Sequence, residues 1–373
     1  MTGFGLDNLP FGVFAPSGEP PRVGVRFEEN VVDLSALDDV FARPSLNAFM
    51  AQGPSAWADA RGRVGALISS GAAELLGLDD VELHLPFEVA DYVDFYSSEE
   101  HATNMGRMFR PDAEPLLPNW KHLPVGYHGR AGTVVVSGTP IVRPRGQLKP
   151  PDIETPVFGP TRRLDIELEL GFVAGVPSRL GEPVPVTAFG EHVFGVVLVN
   201  DWSARDIQAW EYQPLGPFLG KSFATSISPW VVPLAALEPY RVRGPTQEPR
   251  PLEYLRSAEP WNVDIALEVE LNGDVVSRTN ARGLYWNMAQ QLAHATSNGA
   301  SVRTGDLYAS GTISGADPGS RGSLIELTWN GREPLTLSDG SERTFLEDGD
   351  DVVLRGRAGP IALGEVRGRI AGG

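Results

Sequence analysis

The alternation of hydrophobic and polar positions in residues 1–88 predicts short strands followed by a helical stretch. Brief apolar runs between turn-forming residues occur in FGVFAPSG, RVGVRF and NVVDLSAL, as in short β-strands. Residues 45–75 instead carry apolar positions at helical spacing, with Ser55 as the predicted N-cap and Gly71 as the stop. Because the pattern changes near HLPFEVADYVDF, we predict two domains, over residues 1–88 and 89–373.

Strand signals dominate the rest of the chain. Apolar runs adjoin Asn-Gly or Asp-Gly dipeptides, which favour tight hairpin turns, at Asn272–Gly273, Asn330–Gly331 and Asp348–Gly349. We therefore predict three hairpins, and the second of them places the segment LIELTW in a strand.

One helix interrupts these strands, in GLYWNMAQQLAHATSNG. Leu284, Met288 and Leu292 recur four residues apart, and Gly299 supplies a stop signal. With this helix and the earlier helical stretch, the pattern predicts a fold that is mainly β with some α.

An acidic alternation occurs in RRLDIELELGF. On a strand, Asp165, Glu167 and Glu169 share one face, and the apolar residues between them share the other. Like charges on one face repel, so the segment is either the solvated edge of a surface strand or one side of a cation site. The pattern alone leaves both interpretations open.

Two further acids could complete such a cation site. The apolar run VFGVVLVNDWSARD delivers Asp201 at the end of a predicted buried strand, and Asp94 is another source of carboxylate. All-oxygen sites of this kind suit Mg²⁺ or Ca²⁺. Lys221 could offset the excess negative charge. Asp201 could instead be a helix N-cap, with Arg205 four residues later.

Six histidines are candidates for acid–base chemistry. They are His84, His101, His122, His128, His192 and His294. A neighbouring carboxylate would orient an imidazole and favour its role as a base. The sequence pattern does not say which histidine has such a neighbour.

Composition narrows the function classes. The 373 residues carry a net charge of −17, which argues against nonspecific binding to nucleic acid or anionic membranes. There is no cysteine, so disulfides, thiolate nucleophiles and cysteine metal sites are excluded. No run of about 18 apolar residues and no signal-peptide pattern occur. We expect a cytoplasmic protein that binds neither membranes nor nucleic acid.

Several long blocks carry a family resemblance, in order from about residue 91 to about residue 330. They are DYVDFYSSEEHATNMGRMFR, LLPNWKHLPVGYHGRAGTVVVSGTPI, LDIELELGF, NDWSARDIQAWEYQPLGPFLGKSF and ASGTISG. These blocks resemble the fumarylacetoacetate hydrolase family. The likeness is looser at both ends of the chain, and the segment TQEPRPLEYLRSAEP is unassigned.

The resemblance implies both a fold and a reaction. The fold is a small N-terminal SH3-like barrel followed by a large C-terminal mixed β-roll domain, assembled as a homodimer. The reaction is the metal-dependent hydrolysis of a carbon–carbon bond in fumarylacetoacetate, which yields fumarate and acetoacetate in the last step of tyrosine and phenylalanine breakdown. The implied cofactor is Mg²⁺ or Ca²⁺, and the implied partner is a small diketone acid.

The resemblance also implies roles for individual residues. The metal ligands would be Asp94, Glu167, Glu169 and Asp201, with Lys221 and Thr225 beside them. The catalytic base would be His101 with Glu326 as its carboxylate partner, and the oxyanion would be stabilised by Arg205, Gln208 and Lys221. The substrate-binding residues would be Tyr96, Arg110, Tyr127, Tyr212 and Thr312.

Two alternatives compete with this reading. A related enzyme on the same scaffold could act on acylpyruvates or other 1,3-diketone acids, or could be a decarboxylase or hydratase. The chain could also be a catalytically silent metal-binding protein. Full length and the blocks HATN and PNWKHLPVGYHGR favour hydrolysis of fumarylacetoacetate, and the presence of both His101 and Glu326 argues against a silent protein.

Overall fold

A computed structural model describes residues 2–373. Strands, mostly short, outnumber helices, which confirms a fold that is mainly β with some α. Within residues 2–373, none of the helices is long and apolar enough to cross a membrane.

Twenty-six strands are formed by the described residues. Strands β1–β9 are Phe11–Pro16, Arg22–Phe27, Asn30–Asp33, Leu75–Gly77, Val81–His84, Tyr92–Phe95, Gly126–His128, Val134–Val136 and Ile141–Val142. Strands β10–β18 are Arg145–Leu148, Val157–Pro160, Leu164–Asp165, Leu168–Ala174, Val193–Asp201, Ser203–Ala204, Thr225–Ile227, Trp230–Pro233 and Arg241–Val242. Strands β19–β26 are Asn262–Val263, Ala266–Leu271, Asp274–Asn280, Leu307–Ala309, Leu335–Thr336, Glu342–Arg343, Asp351–Ala358 and Ile361–Ala371.

Eight α-helices lie between these strands in residues 2–373. Helices α1–α8 are Asn47–Met50, Pro54–Ser69, Glu99–Phe109, Phe189–His192, Arg205–Glu211, Leu234–Leu237, Met288–Thr296 and Leu324–Leu327. Most are short, so their stability depends on packing and capping contacts rather than on helix propensity.

A 13-stranded sheet forms the centre of the molecule. Its main path runs β4-β3-β2-β1-β17-β14-β13-β22-β6-β7, and β5, β8 and β16 pair at its sides. A second sheet of five strands runs β21-β20-β25-β26-β9. The remaining strands form two-stranded pairs.

The two faces of the central sheet have different partners. Leu168 and Leu170 of β13 pack in one hydrophobic core with the second sheet, for example with Leu354 of β25. Val197 of β14 lies on the opposite face, in a core with Phe11 of β1. Because side chains alternate along a strand, Asp201 of β14, Glu169 of β13 and Asp94 of β6 share the face of this second core.

The N-terminal strands continue the central sheet. Strand β1 pairs with β2, β5 and β17, so the ladder crosses the boundary predicted near residue 88. The pairings in residues 2–373 close no barrel, and the SH3-like form of this region is therefore not confirmed. The division into domains 1–88 and 89–373 stays a prediction.

Some local predictions are confirmed and others are wrong. Asn272 and Gly273, with φ of 52° and 91°, form the predicted hairpin turn between β20 and β21. Helix α2 begins after Gly53 with Pro54 in its first turn, so Ser55 is not its cap. Helix α7 begins at Met288, capped by Asn287, and Leu284 therefore lies outside it.

The other two predicted hairpins are absent from residues 2–373. Ahead of Asn330–Gly331, the segment Leu324–Leu327 is helix α8 and not a strand. Asp348–Gly349 precedes β25, but no strand that pairs with β25 ends at this turn. The glycine of each dipeptide has a positive φ, 82° at Gly331 and 93° at Gly349, in turns that do not join paired strands.

Candidate active site

Four predicted acids converge at one end of the central sheet. Asp94, Glu167, Glu169 and Asp201 each offer a carboxylate oxygen, and these oxygens all lie within 4.8 Å of one another. All four residues are buried, with exposed fractions of 5% or less. The solvated strand edge that the acidic alternation left open is therefore wrong.

Strand register accounts for this convergence. Ala309 of β22 pairs with Gly171 of β13 on one side and with Asp94 of β6 on the other. A Cβ atom at Gly171 would lie 2.8 Å from Leu307 Cδ1 and 2.9 Å from Val199 Cγ2. Small residues thus let the strands that carry the acids pack closely.

Two cations balance part of the acidic charge. Arg205 Nη1 lies 2.7 Å from Glu167 Oε1, and Lys221 forms ion pairs with both Glu167 and Asp201. Burial opposes ionisation of Glu167, but Lys221 and Arg205 outweigh it and hold the pKa of Glu167 well below its usual value. Asp201 accepts further hydrogen bonds from Thr225 Oγ1 at 2.9 Å and from the Tyr127 hydroxyl at 3.3 Å.

Asp94 and Glu169 lack such compensation. Asp94 Oδ1 and Glu169 Oε1 are buried and have no hydrogen-bond partner among residues 2–373. Burial raises the pKa of both carboxyls well above the ordinary value, and the nearby charges of Asp201 at Asp94 and of Asp94 at Glu169 raise them further. Both residues have capacity for an additional positively charged partner.

The cluster fits a hard divalent cation. Its donors are all oxygen, it is buried, and two of its oxygens are unpartnered within the described chain. Unpaired buried carboxylates are unfavourable unless a cation or a proton neutralises them. The role of the four acids as metal ligands stays a prediction.

His101 has a carboxylate neighbour. Its Nδ1 lies 2.7 Å from Oε2 of Glu326, and both side chains are buried. Glu326 also accepts hydrogen bonds from Asn104 at 3.0 Å, Ser314 at 2.8 Å and Ser323 at 2.7 Å. Burial alone would raise the pKa of Glu326, but His101 and these donors lower it to about 2. Glu326 is therefore a stable anion that can orient the imidazole.

Helix α3 holds His101 in place. The Ser98 side chain caps the helix by accepting the His101 backbone N–H at 3.3 Å, as Ser residues commonly do at N-caps. The Tyr96 ring packs edge-on against the imidazole, with ring centroids 5.2 Å apart. Nδ1 is occupied by Glu326, so Nε2 is the nitrogen that can take up a proton.

Helix α5 carries two of the three predicted oxyanion residues, Arg205 and Gln208. Arg205, Gln208 and Tyr212 are three and four residues apart and so share one helix face. Gln208 Oε1 accepts a hydrogen bond from Arg205 Nη1 at 3.4 Å. Asp201 does not cap this helix, whose N-cap is Ala204, and its ion-pair partner is Lys221 and not Arg205.

The predicted substrate-binding residues fall into two groups. Tyr96 contacts His101, Tyr127 contacts Asp201, and Thr312 is buried with no partner for its hydroxyl among residues 2–373. Tyr212 and Arg110 are exposed. Arg110 donates to the Pro115 carbonyl at 2.8 Å and pairs with no acid in the described chain, which leaves its charge free for an anion.

Several residues of the site escaped the sequence reasoning. Tyr92 precedes Asp94 by two residues, and Asn104 follows His101 by three, so strand and helix spacing could have found both. The Tyr92 hydroxyl is buried, without a partner among residues 2–373, and close enough to Asp201, Asp94 and Glu169 for their charges to raise its pKa, which burial already raises. Ser314 and Ser323 carry no local signal.

A wide cleft lies elsewhere in the molecule. It has a volume of about 730 Å³, is lined by residues that include Phe4, Trp230 and Arg355, and contains none of the predicted site residues. The volume of a cleft therefore does not locate this site, whereas the convergence of buried charged groups locates it.

Two family models match nearly the whole chain. The model described as fumarylacetoacetase N-terminal matches residues 7–86, and the model described as fumarylacetoacetate hydrolase C-terminal matches residues 91–371. A solved structure of a fumarylacetoacetate hydrolase from Exiguobacterium antarcticum is similar in fold. It has a TM-score of 0.62 and 18% identity, and the match covers 98% of this chain and 100% of that one.

Curated relatives show much higher sequence similarity. A fumarylacetoacetase from Homo sapiens is 50% identical, and the match covers 95% of this chain and 92% of the relative. One from Arabidopsis thaliana is 46% identical, and the match covers 98% of this chain and 95% of the relative. On the extent of these matches, this chain belongs to the fumarylacetoacetate hydrolase family.

Proposed function

We propose that this chain hydrolyses a carbon–carbon bond of fumarylacetoacetate and releases fumarate and acetoacetate, the last step of tyrosine breakdown. The observation that carries the proposal is a hydrogen-bonded His101–Glu326 pair together with a buried cluster of four acids. Near-full-length similarity to relatives called fumarylacetoacetase, at 50% identity for the human protein, supports this substrate over others.

His101 acts as the general base. Glu326 accepts the Nδ1 proton and fixes the tautomer in which Nε2 is free to accept a proton from water. The resulting hydroxide attacks the carbonyl beside the fumaryl group. The carbon–carbon bond then breaks, and acetoacetate leaves as an enolate that is subsequently protonated.

Arg205, Gln208 and Lys221 stabilise the oxyanion. The two cations are buried and held by Glu167, so their charges are already oriented before the substrate arrives. Removal of one such donor reduces the rate by roughly 100- to 1000-fold. No covalent acyl-enzyme is required by this route.

The four acids would hold a divalent cation, Mg²⁺ or Ca²⁺. Thr225 fixes Asp201, and Lys221 fixes both Glu167 and Asp201, which orients these carboxylates. When bound, the cation would supply Lewis-acid polarisation of the diketone oxygens and would stabilise enolate charge.

The remaining predicted residues bind the substrate. Arg110 pairs with a substrate carboxylate at the rim, because its guanidinium has no acidic partner in residues 2–373. Tyr96, Tyr127 and Thr312 line the inner part, and Tyr212 the outer part. The complete His101–Glu326 pair speaks against a catalytically silent protein.

We also propose a homodimer. Exposed apolar side chains gather beside helix α5, and they are Val157, Phe158, Trp210, Leu215 and Phe218. Trp210 Nε1 donates a hydrogen bond to Gln147 Oε1 at 3.1 Å. Gln147 of β10 is the strand partner of Phe158 of β11, so Trp210 and Phe158 belong to one continuous part of this patch. An exposed patch of this kind is typical of an interface. Phe158→Ser with Leu215→Ser should shift the mass measured by analytical ultracentrifugation to that of a monomer.

Substrate depletion tests the activity. Chelator-treated protein is mixed with fumarylacetoacetate, with and without Mg²⁺ or Ca²⁺, and the loss of diketone absorbance is followed. We expect hydrolysis that depends on the cation and is much faster than hydrolysis of acylpyruvates. Cleavage of acylpyruvates with no cleavage of fumarylacetoacetate would favour the related 1,3-diketone acid hydrolase instead.

A further inference from the structure

Asp165 is a buried carboxylate whose lone pairs are used by other donors. Its Oδ1 accepts the backbone N–H groups of Ile166 at 2.8 Å and Leu324 at 2.7 Å. Its Oδ2 accepts Arg205 Nε at 2.7 Å and the Ile325 N–H at 3.1 Å. Although it belongs to the same acidic alternation as Glu167 and Glu169, Asp165 has no unpartnered oxygen to offer to a cation.

The first contact of Asp165 is with helix α8, which carries Glu326. This helix has four residues, and its cap residue Ser323 makes no side-chain capping bond because its hydroxyl donates to Glu326. The first N–H groups of a helix need acceptors, and Asp165 supplies them from a distant part of the chain. Asp165 thus binds the start of the helix that carries Glu326.

The second contact is with Arg205, one of the proposed oxyanion residues. Asp165 holds the guanidinium at Nε, which leaves Nη1 directed at Glu167, 2.7 Å away, and at Gln208. Asp165 therefore contacts both the proposed oxyanion residue Arg205 and the first turn of the helix that carries Glu326, and it forms no hydrogen bond with His101 or Glu326 itself.

We infer that Asp165 is a positioning residue that keeps the His101–Glu326 base aligned with the Arg205 oxyanion group. The inference rests on the proposed function. A displacement of about 1 Å in such a pair reduces the rate by about 100-fold. Asn at this position replaces one of the two accepting oxygens by an NH₂ donor, so two of the four donors lose their acceptor in Asp165→Asn and face another donor instead.

The test compares Asp165→Asn with a matched variant, Asp350→Asn. Asp350 is also buried, and it accepts Arg343 Nε at 3.1 Å and the Glu347 N–H at 2.8 Å, away from the site. Both variants are expected to lose stability. Asp165→Asn should lower kcat about 100-fold with less than about threefold change in KM and in Mg²⁺ affinity, and Asp350→Asn should keep the wild-type kcat.

Several results would overturn the inference. One is a kcat for Asp165→Asn within about threefold of that for Asp350→Asn, both measured on protein shown by circular dichroism to be folded. Another is a loss of Mg²⁺ affinity equal to the loss of kcat, which would make Asp165 part of the cation site. If Asp165→Asn does not fold, Asp165→Ser is measured against the same criteria.

A crystal structure of the variant separates this inference from the proposed function. We expect helix α8 and Arg205 to move and the bond from His101 to Glu326 to lengthen, whatever the substrate proves to be. Unchanged positions of both would refute the positioning role. Inactivity of the wild-type protein on fumarylacetoacetate would refute the proposed function alone.

Discussion

Glu326 and Glu169 are two equally buried glutamates with opposite properties. Glu326 accepts hydrogen bonds from His101, Asn104, Ser314 and Ser323, and these donors lower its pKa to about 2. Glu169 accepts only the Gly311 N–H, at 3.1 Å, among residues 2–373, and burial and the charge of Asp94 raise its pKa. Because the two side chains are equally buried, the number of hydrogen-bond donors around each carboxyl group accounts for the difference in pKa.

The difference separates two functions within one site. A carboxylate whose oxygens are all satisfied by hydrogen-bond donors of the chain needs no added ion and can orient a catalytic group. A buried carboxylate with an unpartnered oxygen beside other acids needs an added cation or proton to neutralise its charge. The first description applies to Glu326, and the second to Glu169 and Asp94.

The largest expected effect concerns the catalytic pair. His101→Asn removes the proposed general base, so kcat should fall by about 10²- to 10⁴-fold, while binding of Mg²⁺ or Ca²⁺ should be retained. Steady-state hydrolysis of fumarylacetoacetate measures the rate. His294→Gln is the control, because His294 contacts Tyr254 away from the site. Full activity of His101→Asn would exclude His101 as the base.

A smaller effect should appear in the stability of the metal-free protein, with opposite signs for the two glutamates. Glu326→Gln should lower the free energy of unfolding, since hydrogen bonds to a charged group contribute about 1.5–3 kcal/mol each. Glu169→Gln should raise it by about 1 kcal/mol at alkaline pH by removing one unpaired buried charge. Urea unfolding with a chelator present measures both, and equal signs would contradict the comparison.

The pH dependence of stability should separate the same two groups. Because the folded-state pKa of Glu169 is raised, protonated Glu169 favours the folded state. This contribution to the free energy of unfolding is lost as pH rises through the folded-state pKa. Glu326, with its folded-state pKa lowered to about 2, contributes stability above its unfolded pKa, and this is lost as pH falls toward 2. Thermal unfolding of metal-free Glu169→Gln should show a flatter decline at high pH than the wild type.

Local sequence signals predicted those parts of the fold that depend on local chemistry. The Asn272–Gly273 hairpin is one example, because two residues in left-handed conformation define its turn. Helix α8 is the counterexample. Apolar and polar residues alternate in IELTW as in a strand, yet Leu324–Leu327 is helical, with its first N–H groups bound to Asp165. No window around residue 326 contains that information.

Local sequence signals have the same limit for the candidate site. Spacing grouped Glu167 with Glu169, and the end of an apolar run indicated Asp201, but His101 was selected from six histidines by the family resemblance alone. The residues that fix Glu326 come from distant segments, as Ser314 and Asn104 do. Asp165 belongs to the same acidic alternation but accepts a hydrogen bond from Arg205. The sequence pattern cannot show which donors the fold brings close to a carboxylate.

Calorimetric titration of chelator-treated protein with Mg²⁺ and with Ca²⁺ tests the central comparison most directly. We expect wild-type protein and His101→Asn to bind one cation with similar affinity, and Glu169→Gln to bind at least about tenfold more weakly. Equal affinity for Glu169→Gln, or no binding by the wild type, would contradict the assignment of the unpartnered acids to a cation site.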